Sequence, residues 1–131
     1  MNERVRARFQ RAAVGLLEDG ETVEIGILAH TGPVFYDPLL SPVNLINMLR
    51  GKTQGRVLLL TDRRVLYART GLAGSPRELV ASWPPGSAPI GLGARRRGGA
   101  MLTVDGERSS CRGPKDAVDE LVARATGAAS G

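Results

Sequence analysis

Apolar residues recur at helical spacing at the start of the chain. Val5, Phe9, Ala12, Ala13, Leu16 and Leu17 share one side of residues 2–19, while Arg4, Arg6, Arg8 and Arg11 fall mostly on the other. The spacing predicts an amphipathic helix over 2–19 that Gly20 stops, packed by its apolar side on the body of a domain. From Thr22 the period changes to two. Val23, Ile25, Ile27 and Ala29 alternate with Glu24, Gly26, Leu28 and His30, the pattern of a strand with one buried face.

The alternation then stops for a long connection, PVFYDPLLSPVNLINMLRGK from Pro33 to Lys52. Within it Ser41 and Pro42 make an N-cap and first-turn pair for a short helix over 42–50, with Val43, Ile46 and Leu49 on one face. Short strands follow at Arg56–Leu60, Val65–Arg69, Arg77–Ser82, Pro89–Arg97, Ala100–Val104 and Glu107–Arg112. Turn chemistry separates them, and Asp105-Gly106 is the strongest hairpin signal. The turn TDRR at Thr61–Arg64 lacks the Asn-Gly or Asp-Gly of a tight primed turn. It predicts a type I turn with a bulge, in which Thr61 or Asp62 bonds the backbone and both arginines point into water. A closing helix is predicted over 114–126, with Pro114 first, Asp116, Asp119 and Glu120 towards its start, Arg124 late and Gly127 as the stop. Ala117, Val118, Leu121, Val122 and Ala125 form its apolar face. The predicted organisation is one domain over 1–127, with helix 2–19, sheet structure 22–112, closing helix 114–126 and a disordered tail at 128–131.

Composition narrows the class. A chain of 131 residues can bury a core without disulfides or metal, and only five aromatic residues (Phe9, Phe35, Tyr36, Tyr67 and Trp83) leave the interior to aliphatic packing. The net charge of +5 suits an anionic partner, but 16 of the 18 basic residues are Arg, a bias that also fits GC-rich coding. One Cys and an N-terminus without an apolar stretch predict neither a disulfide framework nor a secretory signal, so the expected location is cytoplasmic. The apolar segment 33–49 is broken by Asp37, Asn44, Asn47 and prolines, short of the roughly 18 uninterrupted apolar residues that a spanning helix needs.

Catalytic or metal chemistry finds little material. His30 and Cys111 are the sole members of their types and have no second ligand or nucleophile motif beside them, so no metal, no cofactor and no enzyme activity are expected. Cys111 is expected to be a small, half-buried side chain. Gly51-Lys52-Thr53 matches the end of a phosphate-binding loop, but that loop needs glycine at position 46, where the chain has Ile46. Gly91-Leu92-Gly93 lacks the third glycine and the helix of a dinucleotide fingerprint. Arg95, Arg96 and Arg97 at a hairpin tip could grip phosphates, or could simply keep an edge soluble. No aromatic lies near them to stack a base.

Several of these stretches, RVLLLTDRRVLYA (56–68), ELVASWP (78–84), LTVDGER (102–108) and the closing helix PKDAVDELVARA (114–125), resemble the bacterial pleckstrin-homology-like (PH-like) domains. In that family an apolar strand commonly ends in a Thr-Asp/Asn-Arg/Lys-Arg turn before a second apolar strand. The resemblance covers roughly residues 20–127. It implies a mainly β (α+β) fold: a seven-stranded, partly open barrel of two nearly orthogonal sheets capped by a C-terminal helix, here with an added N-terminal helix and the long apolar insertion between strands 1 and 2. It also implies no catalysis. The phosphoinositide-binding members carry Lys-x(n)-Lys/Arg-x-Arg after the first strand; here only Lys52 and Arg56 fall there, and Leu58 stands where the last Arg would be.

The expected function is that of a binding or oligomerisation module. Its candidate surface is the insertion, through Phe35, Tyr36, Leu39, Leu40, Ile46 and Leu49, whose apolar side chains must pack on the domain, on a partner or on lipid. Candidate anion contacts are Arg50, Lys52, Arg56, Arg95, Arg96 and Arg97. A protein partner or self-association comes first. Peripheral attachment to anionic membrane through the same loop is the alternative, and nucleic acid comes last, through Arg95–Arg97 and the N-terminal helix.

Overall fold

A computed structural model of the chain describes residues 2–31, 54–70, 76–96, 99–112 and 115–127. The elements run α1 (Glu3–Ala12), β1 (Val23–Thr31), β2 (Gln54–Thr61), β3 (Val65–Thr70), β4 (Pro76–Trp83), β5 (Ile90–Arg96), β6 (Gly99–Val104), β7 (Glu107–Arg112) and α2 (Lys115–Thr126). The strands expected from alternation in the first and from turn signals around the others are all present, within a few residues at their ends. They form one antiparallel seven-stranded sheet in the order β4-β3-β2-β1-β7-β6-β5, rather than two separate sheets. The edges β4 and β5 do not pair with each other, so the curled sheet stays open as a half-barrel.

Each face of the curl has its own core. The inner face packs Ile25, Ile27, Leu58, Leu60, Val65, Tyr67, Leu102 and Val104 against Ala117, Val118, Leu121 and Ala125 of α2. The outer face sets Val23, Val57, Leu59, Leu66 and Ala68 against Ala13, with Phe9, Leu16 and Leu17 packed alongside. This double cover explains why β2 reads as an unbroken apolar run, VLLL, instead of an alternation: a strand buried on both faces has no polar side. It also explains Gly26, which the alternation places on a solvent face. A Cβ there would lie 2.6 Å from Cγ of Phe9, so the absence of a side chain lets the α1 aromatic ring lie on β1.

Helix α1 is shorter than the predicted 2–19. Asn2 caps it through a 2.8 Å hydrogen bond from the Arg4 N–H, and it ends at Ala12. Beyond that the chain tightens into i to i+3 turns, Val14 N–H to Arg11 O and Leu16 N–H to Ala13 O. Gly15, a poor helix former, sits in this tightening, which swings Leu16 and Leu17 back onto the sheet. Side chains of α1 then complete the start of β1. The Gln10 amide accepts from the Val23 N–H at 2.6 Å and donates to Glu21 O at 3.0 Å.

Strand β4 departs from its sequence pattern. Residues 77–80 are all exposed, Leu79 and Val80 included, because β4 is an edge strand whose register against β3 slips between Tyr67 and Ala68. Helix α2 matches its expected span over the described residues and ends at Gly127, whose φ of 71° provides the left-handed stop. Cys111 is fully buried on the inner face, not half-buried. Segment 32–53, the tail 128–131 and Arg97 lie outside the described residues.

Candidate functional site

Strand pairing fixes where the insertion begins and ends. Thr31 of β1 pairs with Gln54 of β2, so segment 32–53 leaves and re-enters at one rim of the half-barrel. The connection 71–75 starts at the same rim, because Arg56 pairs with Arg69 one residue before β3 ends. Three of the polar side chains that face inward near this rim, Arg56, Tyr67 and Glu107, form a single network.

Arg56 shares the inward parity of Leu58 and Leu60 and is only 4% exposed. Its Nε donates to Oε1 of Glu107 at 3.1 Å and its Nη1 to Gly55 O at 3.1 Å. The Tyr67 hydroxyl donates to the same Glu107 oxygen at 2.5 Å. One carboxylate from β7 therefore ties β2 and β3 across the inside of the curl. Burial pushes the Glu107 carboxyl up, but hydrogen bonds from Tyr67 and Arg56 outweigh it and hold the group below its ordinary value. Burial first, and then the hydrogen bond to Glu107 and its charge, drive the Tyr67 phenol well above its own ordinary value. The phenol therefore remains a donor and the carboxylate an acceptor at neutral pH. Ser109, the next inward residue of β7, is buried, and its hydroxyl has no hydrogen-bond partner among the described residues.

The network has a measurable consequence. Tyr67→Phe removes one hydrogen bond to an ionised acceptor and leaves the ring in place. It lowers stability by about 2 kcal/mol in urea unfolding with an unchanged m value. No loss would mean that Arg56 alone holds Glu107.

The TDRR turn lies at the other end of β2 and differs from expectation in one respect. Thr61 Oγ1 accepts from the N–H groups of Arg63 and Arg64, at 3.1 and 3.0 Å, and Asp62 Oδ1 accepts from Thr22 N–H at 2.9 Å, as the turn chemistry predicts. The arginines, however, do not simply point into water. Arg64 turns onto Glu21, with Nε to Oε2 at 2.9 Å and Nη2 to Oε1 at 3.0 Å, and also donates to Leu16 O at 3.0 Å. Glu21 takes two further bonds, from Thr61 Oγ1 at 2.7 Å and from the Glu18 N–H at 2.9 Å. Arg63 is the more exposed of the two and pairs with Glu18 at 3.4 Å. The motif is a clasp between the β2–β3 turn and the segment leading from α1.

The predicted site residues separate accordingly. Arg56 is a buried structural cation whose charge is matched by Glu107, not an open anion contact. Arg95 and Arg96 belong to β5 and are described as backbone only. Phe35, Tyr36, Leu39, Leu40, Ile46, Leu49, Arg50, Lys52 and Arg97 lie outside the described residues. Sequence reading missed Glu107, Tyr67 and Glu21. For the first two a signal existed: an arginine at the inward parity of an apolar strand requires a buried acid. Among the described residues, no three His, Cys, Asp or Glu side chains converge as a metal site, and no helix is long and apolar enough to cross a membrane. Comparison with protein-family models, curated proteins and solved structures finds no match to this chain.

Proposed function

We propose that the chain is a non-catalytic, PH-like binding or oligomerisation module that presents segment 33–50 from the Thr31–Gln54 rim to a protein partner, which includes a second copy of itself. One observation carries this reading. Helix α1 and the turns after it cover the outer face of the central strands and α2 covers the inner one, so both cores already have a covering element. On this reading the apolar side chains of Phe35, Tyr36, Leu39, Leu40, Ile46 and Leu49 are not needed to cover either core and serve a partner instead. The order of seven antiparallel strands followed by one helix supports the PH-like assignment. The rim itself is held by Glu107, which suits a fixed frame better than a reacting centre.

The membrane alternative is weakened at one point. Of its three flanking cations, Arg56 already has its charge matched by Glu107, which leaves Arg50 and Lys52 to attract acidic lipid. Co-sedimentation with vesicles separates the readings. Self-association in plain buffer, with no pelleting on acidic vesicles, is the expected result. Pelleting that requires acidic lipid and fades with salt, from a protein monomeric in buffer, would replace the protein-partner reading with the membrane one.

A further inference from the structure

The outward face of α1 takes no part in the packing described above. With about 100° per residue, Arg4, Arg8 and Arg11 fall within roughly 60° of arc, on the side of the helix opposite Ala13. Ala13 is fully buried, and Phe9 and Gln10 are half-buried beside it, whereas all three arginines are exposed. Arg6, on the docked side, is the α1 arginine with an acid partner, Glu3 at 2.6 Å. Arg4, Arg8 and Arg11 form no ion pair among the described residues. Ala7 and Ala12 flank the stripe, so no long side chain shields the guanidinium groups.

We infer that this stripe is a docking surface for the phosphate backbone of duplex DNA. Along the axis the arginines stand about 6 and 4.5 Å apart. Arginine side chains of this reach can meet successive phosphates of one strand, and the guanidinium fork binds phosphate oxygens bidentately. A bilayer fits less well, because Phe9 of α1 and Leu16 and Leu17 of the turns after it, the apolar side chains that would insert, are already packed on the sheet. Single strands and RNA fit less well too. The stripe offers neither an aromatic to stack a base nor an acceptor side chain to take the proton of a 2′-hydroxyl. The net charge of +5 adds a general attraction without sequence preference. The stripe belongs to α1 alone and uses no residue of segment 33–50, so it stands whether or not that segment binds a protein.

The test uses the full chain and a labelled short DNA duplex, with fluorescence anisotropy read across a salt series. Three phosphate contacts predict a slope of log affinity on log salt about 2.7 steeper in the wild type than in Arg4→Gln/Arg8→Gln/Arg11→Gln. At the lowest salt the triple variant binds at least about tenfold more weakly, whereas Arg77→Gln, on β4, behaves as wild type. Circular dichroism of the triple variant is unchanged, since these side chains carry no packing. The inference is overturned by duplex binding that is equal in wild type and triple variant. It is equally overturned by absence of binding at low salt, or by stripe-dependent binding to phosphatidylserine vesicles or an RNA duplex in preference to DNA.

Discussion

Glu21→Ala lowers the unfolding free energy by about 3 kcal/mol at neutral pH, a large fraction of the roughly 5–15 kcal/mol typical of a folded domain. The Glu21 side chain is fully buried and accepts four hydrogen bonds, from Arg64 twice, from Thr61 and from the Glu18 backbone. Its removal strands the Arg64 guanidinium, which is 20% exposed and can only partly return to water. Glu18→Ala is the control. Glu18 is 63% exposed and meets Arg63 at 3.4 Å, so its loss costs no more than about 0.5 kcal/mol.

The same contact predicts an acid response. Hydrogen bonds from Arg64, aided by those from the Glu18 N–H and Thr61, overcome burial and hold the Glu21 carboxyl at about 2, well below its ordinary 4.5. Its folded value is depressed, so the unfolded chain takes up the proton first as pH falls. The stabilisation is complete above pH 4.5 and is lost as pH falls towards 2. A shift of that size corresponds to roughly 3 kcal/mol. Wild type and Glu21→Ala, well separated in urea midpoint at pH 7, therefore converge in this window. A gap that stayed constant down to pH 2 would show that the carboxylate charge contributes nothing.

The second large effect is at Gly26. A Cβ at this position would lie 2.6 Å from Cγ and 2.8 Å from both Cδ atoms of the Phe9 ring, so Gly26→Ala forces the ring off the sheet. The expected loss is about 2–3 kcal/mol, in the range for overpacking a well-filled contact. Phe9→Ala alone also destabilises, by lost burial. The two losses do not add: with no ring to displace, the alanine at 26 costs little more in the double variant, and the cycle shows a coupling of at least about 1 kcal/mol. Additive losses would place the α1 ring elsewhere.

These positions show where the sequence was readable. Strands β1 to β7 were legible because alternation and turn residues are local signals, and Asp105-Gly106 marks its hairpin unaided, both residues adopting positive φ. Gly26 was not legible, because alternation says which side chains share a face but not whether a helix will later cover that face. The Glu21–Arg64 pair spans 43 positions, and neither residue stands out beside its polar neighbours. In β4, the strand itself was legible but the exposure of its apolar Leu79 and Val80 was not, because it follows from the slipped register and edge position. At the rim, Arg56 was singled out for its charge and proved to be enclosed, while its partner Glu107 looked like an ordinary hairpin residue.

The most direct test of the proposed function is the molar mass in solution of wild type and Leu39→Ser/Leu40→Ser/Ile46→Ser, by size-exclusion chromatography with light scattering. The expected result is a wild type heavier than its 13.9 kDa chain and a variant at 13.9 kDa that retains the wild-type circular dichroism and melting temperature. A variant that fails to fold would contradict the proposal, since it would make segment 33–50 part of the core rather than a surface.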